Sequence, residues 1–111
     1  MPVLIGAAAE ASVLDEITRL APGAISLGSR TSLGQIAALA RRATCAVGND
    51  TGPTHIAAAV GCPTVALFGA DSDPMRFGPR GEAVEVLRCL PLASLPVADV
   101  IDAAEWVASR A

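Results

Sequence analysis

The chain has 111 residues, room for one domain, and its 52% hydrophobic residues and mean hydropathy of +0.51 supply a buried core and exclude intrinsic disorder. A net charge of −3, no lysine, eight arginines standing singly or in one pair, and 3% aromatic residues leave neither a basic stripe nor a stacking platform, which excludes a nucleic-acid groove. Cys45, Cys62 and Cys89 are far apart without a Cys-x-x-Cys spacing and read as reduced, packed thiols of a cytosolic protein, from which no zinc site can be assembled with the single histidine.

Pro2 to Gly6 opens the chain as an apolar run too short for a helix, the pattern of a doubly buried parallel strand. From Ala11 to Leu20, apolar Val13, Leu14, Ile17 and Leu20 follow a helical period, with Pro22-Gly23 as the stop. Ala24 to Gly28 reads as a second strand. Thr31 or Ser32 opens a helix whose Leu33, Ile36, Ala37, Leu39 and Ala40 form one stripe and whose Arg41-Arg42 suit its negative end. Ala43 to Gly48 is the third strand.

Gly48-Asn49-Asp50-Thr51-Gly52-Pro53 then turns into an Ala-rich helix, Gly61-Cys62-Pro63 breaks it, and Thr64 to Phe68 is strand four. Gly69 to Gly81 is too broken by Gly and Pro for regular structure. Val84 to Arg88 is strand five, and Val97 to Ser109 is a closing helix with Val100, Ile101, Ala104, Trp106 and Val107 on its apolar side. No apolar run reaches the roughly 18 residues of a membrane span, and the N-terminus carries no signal-peptide pattern. Strands alternating with helices at this pitch predict an α/β fold, a Rossmann-like parallel sheet of about five strands in one domain over residues 1–111. Ligands of such sheets bind at the carboxyl ends of the strands.

The turn after strand three is where chemistry can sit. Pro53 suits the first helical position, which makes Gly52 the N-cap, a residue with no side chain to cover the first-turn amides. The amides of Thr54 and His55, with those of Thr51 and Gly52, then face an anion such as a phosphate. Alternatively, Asp50 or Thr51 folds back and caps the helix with no ligand. His55 alone is an ordinary hydrogen-bonded histidine. Glu10, just past strand one, is either a surface glutamate in a first helical turn or an acceptor of both ribose hydroxyls.

Asn49-Asp50-Thr51-Gly52-Pro53-Thr54-His55-Ile56-Ala57-Ala58-Ala59, then Gly61, Pro63-Thr64 and Leu67-Phe68-Gly69, resembles the signature of the glycosyltransferase family 9 heptosyltransferases of lipopolysaccharide inner-core synthesis. The resemblance runs along nearly the whole chain but only to the C-terminal, donor-binding domain of such a GT-B enzyme. It implies a nucleotide diphosphate sugar, ADP-heptose, as substrate with no cofactor and no metal, and a lipopolysaccharide acceptor. Transfer would proceed with inversion, in the cytoplasm, with the full protein peripheral at the inner face of the membrane.

By the same resemblance Glu10 holds the nucleotide ribose and the loop at Ser29-Arg30-Thr31 lines the base pocket, with Thr31 packing on the base. Asp50 holds sugar hydroxyls or supports positive charge on the ring, Thr51 and Gly52 offer amides to the departing diphosphate, and His55 supports the phosphate side. The loop Gly69-Ala70-Asp71-Ser72-Asp73-Pro74 is one residue longer than the family's usual form. The acceptor half, with the acidic residue that serves as base, and the opening β-α unit with its phosphate-facing lysine have no counterpart here, so the chain is expected to be a truncated piece. Without that unit, residues 3–5 are expected to pair directly with residues 45–47, giving the strand order 2-1-3-4-5. The alternatives are a nucleotide-binding fragment or pseudoenzyme that transfers nothing, and an epimerase of nucleotide sugars.

Overall fold

Short apolar runs between Gly- and Pro-rich breaks do form strands, and the amphipathic segments between them form helices. The computed structural model describes residues 2–6, 8–28, 31–49, 51–69 and 84–109. They fall into two compact units, Met1–Ser32 and Leu33–Ala111.

The first unit is one β-α-β. Strand β1 (Val3–Ile5) is followed by a 3-10 turn at Ala8–Glu10, helix α1 (Ala11–Leu20) and strand β2 (Ile25–Gly28). The two strands pair in parallel, Val3 with Ile25 and Leu4 with Ser26, with a register shift before Ile5 meets Gly28. Helix α1 ends where expected, its Ala21 N–H donating to the Ile17 carbonyl ahead of Pro22. Of its apolar stripe, Leu14 is buried, whereas Val13, Ile17 and Leu20 are exposed. On its polar side Arg19 holds the Glu16 carboxyl below the usual carboxylate range.

The second unit contains α2 (Leu33–Arg42), β3 (Ala46–Asn49), α3 (Gly52–Ala59), β4 (Thr64–Phe68), β5 (Val84–Arg88), a 3-10 turn at Leu92–Ser94 and α4 (Val97–Ser109). Its strands run parallel in the order β3-β4-β5, with Ala46 opposite Thr64 and Thr64 opposite Val84. Strand β3 starts later than the apolar run suggests, because the Ala43 N–H still closes the end of α2 on the Ala40 carbonyl and the ladder begins with the Ala46 N–H on Pro63. The central strand β4 is the driest element: Thr64, Val65, Ala66 and Phe68 are inaccessible to solvent. Val65 packs with Ala103 and Val107 of α4, joined by Leu67 and Leu87, while Ala40 of α2, Ala57 of α3 and Cys62 make a second cluster. Two helical layers thus enclose this sheet, the arrangement that parallel strands require.

Helix α3 stops at a glycine-closed cap. The Cys62 N–H reaches the Ala57 carbonyl and the Gly61 N–H the Ala58 carbonyl, with Gly61 at φ +89°. This is the Schellman arrangement, including its apolar contact, here between Cys62 and Ala57. The Thr64 hydroxyl then donates to the Cys62 carbonyl at 2.7 Å, which fixes the step from the cap into β4.

The five strands are therefore present and parallel, but in two ladders. Residues 3–5 pair with β2 within the first unit, and Ala46 and Val47 pair with β4 within the second.

Candidate functional site

In the second unit the strand-to-helix turn after β3 brings Thr51, Gly52, Thr54 and His55 to the carboxyl end of the strand. The helix begins one residue earlier than expected. Thr51, extended at φ −136° and ψ 163°, is the N-cap, Gly52 is the first helical residue and Pro53 the second. The reason lies in the backbone: the Thr51 carbonyl accepts the His55 N–H at 3.2 Å, the first bond of the helical ladder.

That bond also narrows the amide cradle. The His55 amide is spent inside the helix, and the Thr51 amide donates to the Asn49 carbonyl at 2.9 Å. With Pro53 lacking an N–H, Gly52 and Thr54 carry the amides of the opening turn that the helix itself does not use. The sequence left open whether Thr51 caps the helix. It makes no side-chain cap bond, and its hydroxyl lies 3.2 Å from the Thr54 hydroxyl instead. Asp50, the other candidate cap, lies outside the described residues, as do residues 70–83 with most of the loop after β4.

The sequence points to Thr54 for its amide alone, and its side chain is the part that sequence reasoning missed. It is 6% exposed, and its side chain stands against Gly48 of β3, where a Cβ would fall on the Thr54 hydroxyl. The available signal is the Thr-x-x-Thr spacing across the turn, which puts two hydroxyls in reach within the first turn of a helix.

In the first unit Glu10 closes the 3-10 turn after β1 and is the N-cap of α1, exposed and without a side-chain cap bond. Its Oε1 lies 3.4 Å from where a Cβ on Gly6 would stand, so the glycine at the end of β1 leaves room for the carboxylate. Thr31 follows β2, half-buried, while Ser29 and Arg30 lie outside the described residues.

Two concavities lie elsewhere in the second unit. One of about 320 Å³ is lined by Arg41, Ala43, Thr44, Gly61, Cys62 and Pro63, at the amino-terminal edge of the sheet. Burial pushes the Cys62 thiol up there, with a smaller push from Cys45. The other, of about 500 Å³, lies between β5 and α4 beside Glu85, Asp102 and Trp106. Neither includes an expected donor-binding residue. Among the described residues no group of His, Cys, Asp or Glu could hold a metal ion.

Residues 2–102 match the family described as glycosyltransferase family 9 (heptosyltransferase). The chain is 33% identical over 92 residues to the Haemophilus influenzae lipooligosaccharide heptosyltransferase 2, covering 78% of this chain and 26% of that protein. It also superimposes with a TM-score of 0.88, at 25% identity, on the crystal structure of a family 9 glycosyl transferase from Veillonella parvula, over 98% of this chain and 36% of that one. The chain thus spans about a quarter of its relative's length.

Proposed function

Because the chain belongs to glycosyltransferase family 9, we propose that it is the donor-binding half of an inverting enzyme that moves a heptose or related sugar from a nucleotide diphosphate, ADP-heptose being the expected donor, to a lipopolysaccharide core acceptor. The observation that carries this reading is the first turn of α3: an N-cap threonine whose hydroxyl is engaged elsewhere leaves the Gly52 and Thr54 amides to an anion at the carboxyl end of β3.

In the reaction the acceptor hydroxyl, deprotonated by a base outside this chain, attacks the sugar from the face opposite the leaving group. The ring passes through an oxocarbenium-like state, and the departing diphosphate gains charge. Donors fixed where that charge develops stabilise the transition state more than the ground state. Gly52 and Thr54 supply such amides, and the dipole of α3 adds to them. Asp50 holds sugar hydroxyls or supports the cationic ring, and His55 supports the phosphate side. Glu10 takes the ribose and Thr31 packs on the base. We place the protein in the cytoplasm, at the inner face of the membrane; none of the described helices is long and apolar enough to cross one.

A calorimetric titration with ADP and a panel of nucleotide sugars tests the reading, with saturable binding as the expected result. No binding of any nucleotide diphosphate would overturn it. Binding without transfer to any lipopolysaccharide acceptor, measured on a full-length protein carrying this chain, would replace it with a non-catalytic nucleotide-binding module.

A further inference from the structure

We propose that Thr54 is a positioning residue, whose buried hydroxyl engages the Thr51 hydroxyl and so withholds it from the amino terminus of α3, keeping the Gly52 and Thr54 amides open. The inference rests on the donor-site reading for its use but not for its geometry.

A threonine at the N-cap ordinarily turns its hydroxyl onto the amide of the second or third helical residue. Here the third helical residue is Thr54 itself. The Thr51 hydroxyl goes to the Thr54 hydroxyl, 3.2 Å away, and makes no cap bond. Two features hold the Thr54 side chain where it can compete. It is 6% exposed, so its hydroxyl needs a protein partner, and no buried side-chain polar atom among the described residues lacks one. It also fills the space over Gly48 that any other residue's Cβ would take. Thr51, by contrast, is exposed and free to rotate its hydroxyl toward the helix once Thr54 no longer holds it.

A self-capped helix end offers an anion one donor fewer and must surrender its cap before binding. The hydroxyl pair removes that competition before the ligand arrives, which is preorganisation. Because neither hydroxyl contacts the ligand in this scheme, the effect passes entirely through the state of the amide at position 54.

The test uses Thr54→Val, nearly isosteric but without the hydroxyl, with Thr54→Ser, Thr51→Val and the double variant Thr51→Val/Thr54→Val. The first readout needs no ligand: amide hydrogen exchange at position 54 is expected to slow about tenfold in Thr54→Val, the equivalent of one capping bond. Exchange should stay at the wild-type rate in Thr54→Ser and return to it in the double variant, where no hydroxyl remains to cap. The second readout is titration with inorganic pyrophosphate, whose affinity should fall about tenfold in Thr54→Val and recover in the double variant. Unchanged exchange in Thr54→Val overturns the inference, as does a double variant that binds pyrophosphate more weakly than Thr54→Val, since the Thr51 hydroxyl would then be a ligand contact. Slowed exchange in a protein that never binds pyrophosphate supports the withheld cap and overturns the donor-site reading instead.

Discussion

Gly48 of β3 and Thr54 of α3 are in contact so close that a single methyl group at position 48 would occupy the place of the Thr54 hydroxyl. The strand end and the first helical turn are therefore fitted to each other, and the fit depends on a missing side chain. Gly48→Ala should destabilise the chain by about 1–3 kcal/mol, the ordinary range for overpacking. Urea unfolding would show a lower midpoint with an unchanged slope. Combining it with Thr54→Ala should recover most of the loss, because the obstructing hydroxyl and methyl are gone.

Gly61 makes a different demand. A Cβ there would meet nothing within 4 Å, so the cost of a side chain is conformational alone and comes from φ +89°. Gly61→Ala should cost about 1–2 kcal/mol, the left-handed penalty, and Gly61→Asn less. Equal melting temperatures for the wild type and Gly61→Ala would show that the end of α3 adapts without the Schellman cap.

Helix α4 separates two apolar residues that look alike in sequence. Val107 is inaccessible and packs on Val65, whereas Ile101 is 52% exposed. Val107→Ala should cost about 2–3 kcal/mol through lost transfer energy and a cavity, and Ile101→Ala under about 0.5 kcal/mol. Similar losses for the two would mean that Ile101 is covered in solution.

That contrast marks the limit of what the residues reveal. The bounds of α1, β4, β5 and α4 were legible because Gly and Pro interrupt the pattern beside them. The facing of α4 was not: Ile101 and Trp106 were assigned to the buried side, yet Trp106 is 47% exposed and Ala103, left out of the stripe, is buried. A helix with apolar residues around most of its circumference gives periodicity nothing to choose by, and only the sheet it meets decides. The site shows the same limit. The strand, turn and helix were legible from Gly48 to Ala59, but the cap was not, because it turns on competition between one hydroxyl and one amide for another hydroxyl.

Cys62 sets an alkaline limb. Its folded pKa is raised, chiefly by burial, so the native chain keeps the proton after the unfolded chain has lost it. Above the free-thiol range of about 8.5 the unfolded state binds fewer protons, and stability falls as pH rises until the folded value is passed. With no lysine and no tyrosine in the chain, few other groups titrate there. Denaturant midpoints between about pH 8 and pH 10 should decline for the wild type and stay flatter for Cys62→Ala. Parallel declines would trace the limb to another group.

The last prediction separates the two parts of the proposed donor. If Glu10 accepts the ribose hydroxyls and α3 takes the diphosphate, substitutions at the two places act on different ends of one ligand. Glu10→Gln keeps the side-chain length and one acceptor but removes the charge and the second acceptor. A hydrogen bond to a charged group contributes about 1.5–3 kcal/mol, so ADP should bind on the order of tenfold to a hundredfold more weakly. Inorganic pyrophosphate, which has no ribose, should bind Glu10→Gln as it binds the wild type, whereas Thr54→Val should weaken both ligands together. Calorimetric titration of the two ligands against the two variants gives four affinities that decide the assignment. An equal loss of ADP and pyrophosphate binding in Glu10→Gln would mean that Glu10 acts on the phosphate end or on the fold. No loss of ADP binding would remove Glu10 from the donor site and leave the ribose to other residues.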